Sequence, residues 1–228
     1  MEKNYLENNK LSLIGKITEE KKFSHEIYGE KFYSFGISVP RLSGNADLIP
    51  ITISERLFKE DELVIGKNIK VEGQFRSYNS YEQEKNRLIL TVFAKDIEII
   101  DEDIDNVEID KEMKTNEVTL VGYICKKPIY RQTPFGREIA DVLLAVNRAY
   151  NKSDYIPCIT WGRNARFCSG MEVGTEVKIS GRIQSRKYEK QHEDGTTETR
   201  IAYEVSVANL ELKNNEEENQ AEEKIIEE

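Results

Sequence analysis

Leu13-Ile14-Gly15-Lys16-Ile17 recurs as Leu120-Val121-Gly122-Tyr123-Ile124, and the likeness runs on to Gly73 and Gly181 at a nearly constant offset of 107 to 108 residues. Gly29 matches Gly136, Arg41 matches Arg148, Asp47-Leu48-Ile49-Pro50 matches Asp154-Tyr155-Ile156-Pro157, and Gly66 matches Gly174. A period this long means tandem domains and not a solenoid of short repeats. The 228 residues fit two domains of ordinary size. The boundaries read as a first domain over 1-100, an acidic linker over 101-114, a second domain over 115-213 and an acidic tail over 214-228.

Within each copy the apolar period is two. Val118, Leu120, Gly122 and Ile124 alternate, as do Val142, Leu144 and Val146, and then Val177, Ile179, Gly181 and Ile183, the pattern of half-buried strands. The turn Glu193-Asp194-Gly195-Thr196 leads into Ile201, Tyr203, Val205 and Val207, which makes the last two strands a long hairpin. Only Arg163 to Met171 looks helical. In the first copy strands are expected near 10-18, 31-39, 47-54, 68-78 and 87-98, with 55-63 as the helical connector. Five strands with one short helix between the third and fourth is the order of an OB-fold, so the expected class is all-β: two tandem five-stranded Greek-key barrels with a short helix each and a disordered acidic tail. The repeated glycines Gly15/Gly122 and Gly73/Gly181 fall inside strands, where sharp bending or close backbone approach leaves no room for a side chain.

The net charge of -9 is unevenly spread. Residues 101-114 carry 2 basic and 7 acidic side chains and 214-228 carry 1 and 7, whereas 115-213 carry 15 and 12. The second folded module is therefore positive, and an acidic average does not exclude a polyanionic ligand. The linker and tail, with few aromatics, read as solvated segments. No run approaches the roughly 18 apolar residues of a membrane span, and the start of the chain lacks the pattern of a secretory leader, so a cytoplasmic protein without membrane association is expected. Cys125, Cys158 and Cys168 lack metal-ligand spacing and His25 and His192 lie far from them, which argues against a zinc site. Cys125 and Cys158 fall on strand patterns and read as buried hydrophobes. No nucleophile with a base, metal cluster or phosphate loop is recognisable, so neither catalysis nor a cofactor is expected.

In the third strand of the second copy, alternation places Ile156, Cys158 and Thr160 on one face and Tyr155, Pro157, Ile159 and Trp161 on the other. Tyr155 and Trp161 would stand roughly 20 Å apart at about 3.3 Å per residue. Around them lie Arg148, Tyr150, Lys152, Arg163 and Arg166, followed by Arg182, Arg186, Lys187, Tyr188 and Lys190. Aromatics interleaved with cations make a stacking platform in an electrostatic groove: bases stack whatever their sequence, and Lys and Arg neutralise phosphates. Trp161 alone also reads as a core anchor, and a strand tyrosine as a good strand former. The first copy has Leu48 where the second has Tyr155 and Ser54 where it has Trp161. There Tyr78 and Tyr81 are the candidate platforms, and Lys16, Arg41 and Arg76 the candidate phosphate contacts.

The second copy resembles the bacterial single-stranded DNA-binding protein family. The matching stretches are Asn116-Glu117-Val118-Thr119-Leu120-Val121-Gly122, Thr133-Pro134-Phe135-Gly136, Leu144-Ala145-Val146-Asn147-Arg148, Trp161-Gly162-Arg163-Asn164-Ala165 and Gly181-Arg182-Ile183-Gln184-Ser185-Arg186-Lys187-Tyr188. The resemblance implies sequence-independent binding of single-stranded DNA in replication, recombination or repair, with Tyr155, Trp161 and Tyr188 where the family places stacking aromatics and Tyr150 in a variable loop. Arg148 and Arg186 fall at conspicuous basic positions of its pattern. Two domains in one chain resemble the rarer type that reaches four domains as a homodimer. The tail ends Lys224-Ile225-Ile226-Glu227-Glu228 in place of the family's acidic run closed by Pro-Phe, so recruitment of replication or repair proteins through it would have to work without that motif. Two other readings stay open: a primosome-type adaptor that mainly binds proteins, and an OB-fold interaction module without a nucleic-acid ligand.

Overall fold

The computed structural model describes residues 7-59, 61-82, 85-101, 114-191 and 195-213, with 81, 82, 85 and 86 described by their place in strands alone. The readings of the acidic linker and tail fall on 102-113 and 214-228, and that of His192 on 192-194, all outside the described residues.

The chain forms β1 (Asn9–Ile17), β2 (Lys22–Ile27), β3 (Glu30–Pro40), β4 (Ala46–Ser54), β5 (Asn68–Glu82) and β6 (Lys85–Ile100), then β7 (Asn116–Ile124), β8 (Ile129–Gln132), β9 (Glu138–Arg148), β10 (Lys152–Trp161), α1 (Arg163–Ser169), β11 (Glu176–Gln191) and β12 (Thr197–Leu212). Each set of six curls into an OB barrel. In the first, β1 pairs with both β5 and β3, and β4 runs parallel to β6; in the second, β7 pairs with β11 and β9, and β10 runs parallel to β12. Leu13, Ile37, Ile51 and Val92 fill one barrel and Leu120, Leu144, Ile156 and Val205 the other, all excluded from solvent.

Five strands in each barrel are those the period-two pattern gives. A short sixth, β2 or β8, pairs to the start of β3 or β9. Every residue of both is exposed, so neither carries an apolar alternation to betray it. The first copy's connector also differs from its expected helix over 55-63: only Glu55–Leu57 makes a 3₁₀ turn, with the Ser54 hydroxyl accepting from the Arg56 N–H.

The strand glycines mark close approach. A Cβ on Gly73 would lie 2.2 Å from the Phe93 carbonyl oxygen and one on Gly181 2.1 Å from that of Ser206, distances that no side chain tolerates against backbone. Both sit at register shifts in their hairpins, between Glu72 and Gly73 and between Ser180 and Gly181. These bulges bend the hairpins around their barrels.

The two barrels are joined into one 12-stranded sheet by antiparallel pairing of β1 with β7, in which Leu11 faces Val118. Beyond the last paired residues, side chains continue the ladders. The Asn9 carboxamide donates to the Phe75 carbonyl at 2.8 Å and accepts from its N–H at 2.9 Å, and Asn116 does the same to Ile183 at 2.8 and 2.9 Å. The long hairpins then cross over: β5 lies against β10, and β11 against β4.

Candidate nucleic-acid interface

That crossover is fastened by exchanged carboxylates. Asp154, buried on β10 of the second barrel, accepts from the Ser77 N–H on β5 of the first at 2.8 Å, and the Ser77 hydroxyl accepts from the Tyr155 N–H at 2.7 Å. Asp47, buried on β4, accepts from the Ser185 N–H on β11 at 2.6 Å, and the Ser185 hydroxyl accepts from the Leu48 N–H at 3.0 Å. Both carboxylates carry arginines. Arg41 makes a two-pronged pair with Asp47, which also holds Arg182 at 3.2 Å, whereas Arg148 stands 3.6 Å from Asp154. The hydrogen bond to Asp47 raises the pKa of Arg41, while burial and then Arg41 itself lower that of Arg182. Burial pushes the Asp154 carboxyl up, against the pull of the Ser77 N–H, Arg148 and Arg76. Three of the expected DNA contacts, Arg41, Arg148 and Arg182, thus sit at the junction of the barrels, engaged with these carboxylates.

The outer face of the second barrel gathers several of the others. On β10, Ile156, Cys158 and Thr160 point into the barrel while Tyr155 and Trp161 point out, with 45% and 37% of their surfaces exposed; Ile159 shares their face but is covered. The parallel register sets Ile159 beside Ser206, whose hydroxyl accepts from the Trp161 indole N–H at 3.1 Å. From Ser206, the β11–β12 register carries the same face through Arg182, Gln184, Arg186 and Tyr188, the last opposite Arg200. Tyr188 is 37% exposed and Arg186 is exposed. Lys187 alternates to the opposite face, and Arg163 is exposed at the start of α1. Tyr150 stands 94% exposed at the tip of the β9–β10 turn, with a φ of 60°. The surface therefore presents separated ring faces flanked by guanidinium groups. Acids share this face: Glu204 accepts from the Gln184 amide at 2.6 Å, Asp141 lies opposite Ile159 and pairs with Arg131, and Glu198 pairs with Arg200.

On the first barrel, Tyr78 is half-exposed on β5, next to Ser77; the side chain of Tyr81 lies outside the described residues. Ser54 is buried, donating from its hydroxyl to Glu30, and Leu48 is partly exposed. An aromatic surface exists there that strand-by-strand matching misses. Phe93 on β6 pairs with Gln74 and lies beside Thr52, the place that Ser206 takes in the second barrel. The large side chain has moved from the third strand to the last. A comparison of the fifth strands of the two repeats, position by position, would have revealed it.

Of the two cysteines expected to be buried, Cys158 is, whereas Cys125 is only half-buried just beyond β7, its thiol donating to the Leu143 carbonyl at 3.2 Å; Cys168 on α1 is buried as well. Among the described residues no three His, Cys, Asp or Glu side chains are grouped as a metal site, and no helix is long and apolar enough to cross a membrane.

Residues 115–213, the whole of this second barrel, match the Single-strand binding protein family. Single-stranded DNA-binding protein B of Bacillus subtilis (strain 168) is 38% identical over 86 residues, which cover 33% of this chain and 74% of that protein. The chain belongs to the single-strand binding protein family. Another member, Single-stranded DNA-binding protein A of the same strain, is 38% identical over 106 residues, and the chain spans 61% of its length. The likeness of fold reaches further than the sequence match. The wild-type single-stranded DNA binding protein from Thermus aquaticus superposes with a TM-score of 0.69 at 19% identity, covering 91% of this chain and 93% of that one. Both barrels thus share the fold of that structure, while the family match falls on the second.

Proposed function

We propose that the chain binds single-stranded DNA without sequence preference and shields exposed strand during replication, recombination or repair. The observation that carries this reading is the common face of Tyr155, Trp161 and Tyr188, with Arg186 between them on the register. Ring faces at separated points suit successive unpaired bases, which a duplex would keep stacked on one another. Each stacked base contributes about 1 to 3 kcal/mol irrespective of its identity, and the arginines take the phosphates. Tyr150, Arg163, Arg148 and Arg182 extend this surface at its margins, and Tyr78 and Arg41 carry it toward the first barrel. The relatives' names supply the ligand class: they are single-stranded DNA-binding proteins.

Two chains would bring four barrels together, so a homodimer is the working assembly, resident in the cytoplasm with the nucleoid. The acidic tail would recruit replication or repair proteins. The binding reading is tested by competition among oligo-dT, oligo-dA and a duplex of equal length at two salt concentrations. Comparable binding of both single strands, weak binding of the duplex and a steep loss with salt are expected. A duplex that competes as well as oligo-dT, or a response flat in salt, would contradict it.

A further inference from the structure

Two near-symmetric grooves flank the β1–β7 junction, and their charges differ. In one, Asp47 takes both Arg41 and Arg182 directly, and the positions around it include Ala208, with Glu72 and Glu117 set against Lys10 and Lys114. In the other, the repeat places Lys95 where Ala208 stands. Gln74-Phe75-Arg76 likewise replaces Arg182-Ile183-Gln184, so the arginine has moved two residues along the strand while keeping its bond to the glutamine: Arg76 Nε and Nη2 donate to Gln74 Oε1 at 3.2 and 2.7 Å.

The Arg76 guanidinium lies 4.0 Å over the Phe93 ring. Phe93 in turn packs on Phe32 at 5.7 Å, and His25 stacks on Phe32 at 4.8 Å. Arg76 is thereby fixed as a flat cation on an aromatic floor, the arrangement in which a guanidinium can stack under a base or pair with a phosphate. Burial and then Arg148 lower the pKa of Arg76, and burial followed by Arg76 and Lys10 lowers that of Lys95. These cations repel one another across the groove. Facing them is one buried carboxylate, Asp154, whose Oδ1 is taken by the Ser77 N–H; Glu7 lies 3.6 Å from Lys10 at the edge.

We infer that Arg76, Lys95 and Arg148 form a phosphodiester seat beside Phe93, which carries a bound single strand from the second barrel across the junction onto the first. Continuity with the aromatic face supports the path. Ser77, the chain neighbour of Arg76, holds the Tyr155 N–H at 2.7 Å, so the seat begins where that face ends. A phosphate there would relieve the repulsion among three cations, two contributed by the first copy and one by the second. The seat rests on the proposed DNA binding and adds to it a specific crossing point.

The test uses the full chain, oligo-dT as probe and two readouts, the salt dependence of affinity and the quenching of Trp161. Arg76→Gln with Lys95→Gln should weaken binding at low salt at least about ten-fold and reduce the log-log salt slope by about 1.4, at roughly 0.7 per phosphate lost on a single strand, while saturating quench is retained. Lys95 is exposed, so Lys95→Gln alone keeps the fold and should reduce the slope by about 0.7. Lys31→Gln, an exposed cation of β3 away from the groove, should leave the slope as in the wild type. Slopes and affinities of both variants within two-fold of wild type, with Trp161 still quenched, would overturn the seat alone. Absence of quench and of binding in the wild type would overturn the DNA-binding reading with it.

Discussion

Asp47 of the first barrel accepts a hydrogen bond from the backbone N–H of Ser185 in the second, and one repeat later Asp154 returns the same bond to Ser77 in the first. The repeat is thus an interface as well as a duplication, since each copy supplies a buried carboxylate to the other's long hairpin. The two bonds are equivalent in position but not in company. Asp47 is gripped by Arg41 and Arg182, whereas Asp154 has Arg148 at 3.6 Å and its Oδ2 has no partner among the described residues.

Asp47→Ala should therefore destabilise the protein by about 3 kcal/mol, because it strands buried or half-buried arginines and a backbone N–H together. Asp154→Asn should change stability by less than about 1 kcal/mol, as the amide oxygen can still accept from Ser77. Urea unfolding of the two variants measures the contrast. Equal losses would show that the arginines around Asp47 contribute nothing.

The raised pKa of Asp154 gives that variant a pH signature. A folded carboxyl with a raised pKa binds protons more readily than the unfolded one, so the ionised group opposes folding at neutral pH and the opposition fades as pH falls through the raised value. Asp154→Asn should gain in Tm relative to wild type near pH 7, and the gain should shrink toward the ordinary carboxylate range. Thermal melts from pH 7 to pH 4 decide the sign; a gain that grows on acidification would contradict it.

Ser77→Ala and Ser185→Ala each remove a hydroxyl that accepts from a backbone N–H of the other barrel, and each should cost about 1 kcal/mol of stability. Their effects on DNA should differ. The N–H freed by Ser77→Ala belongs to Tyr155, so that variant should weaken oligo-dT binding several-fold, while Ser185→Ala, which frees Leu48, should leave it within about two-fold.

Residues 114-213 produced alone should fold and form an isologous dimer. Removing the first copy frees the edge of β7, and this copy carries both Asp154 and Ser185, the two halves of the exchanged bond. Light scattering on material shown to be folded by circular dichroism measures the mass. A folded monomer would contradict the interface as described.

Much of this fold is legible in the chain. Period-two alternation gives the barrel strands, and Gly73 and Gly181 announce the bulges where the hairpins bend. The outward register of Tyr155 and Trp161 follows from the same alternation. What escapes a reading of the chain has physical reasons. β2 and β8 bury nothing and so leave no hydrophobic trace. Asp47 and Asp154 stand out as a repeated pair, yet a local pattern cannot tell that the partner of a buried strand carboxylate lies on the other copy. Arg41, Arg148 and Arg182 read as free cations for the same reason. The first barrel reads as poor in aromatics when Ser54 is set against Trp161, whereas Phe93 restores the ring from the neighbouring strand.

Emission from Trp161, the single tryptophan, reports directly on what lies against the outer face of the second barrel. A base stacked on its exposed ring requires strong quenching on titration with oligo-dT and little change with duplex DNA, and Trp161→Ala with Tyr155→Ala should weaken oligo-dT binding by about 2 to 6 kcal/mol if the two stacks add. Saturating oligo-dT binding with unchanged Trp161 emission, or with the double variant binding as tightly as wild type, would contradict the assignment of this face.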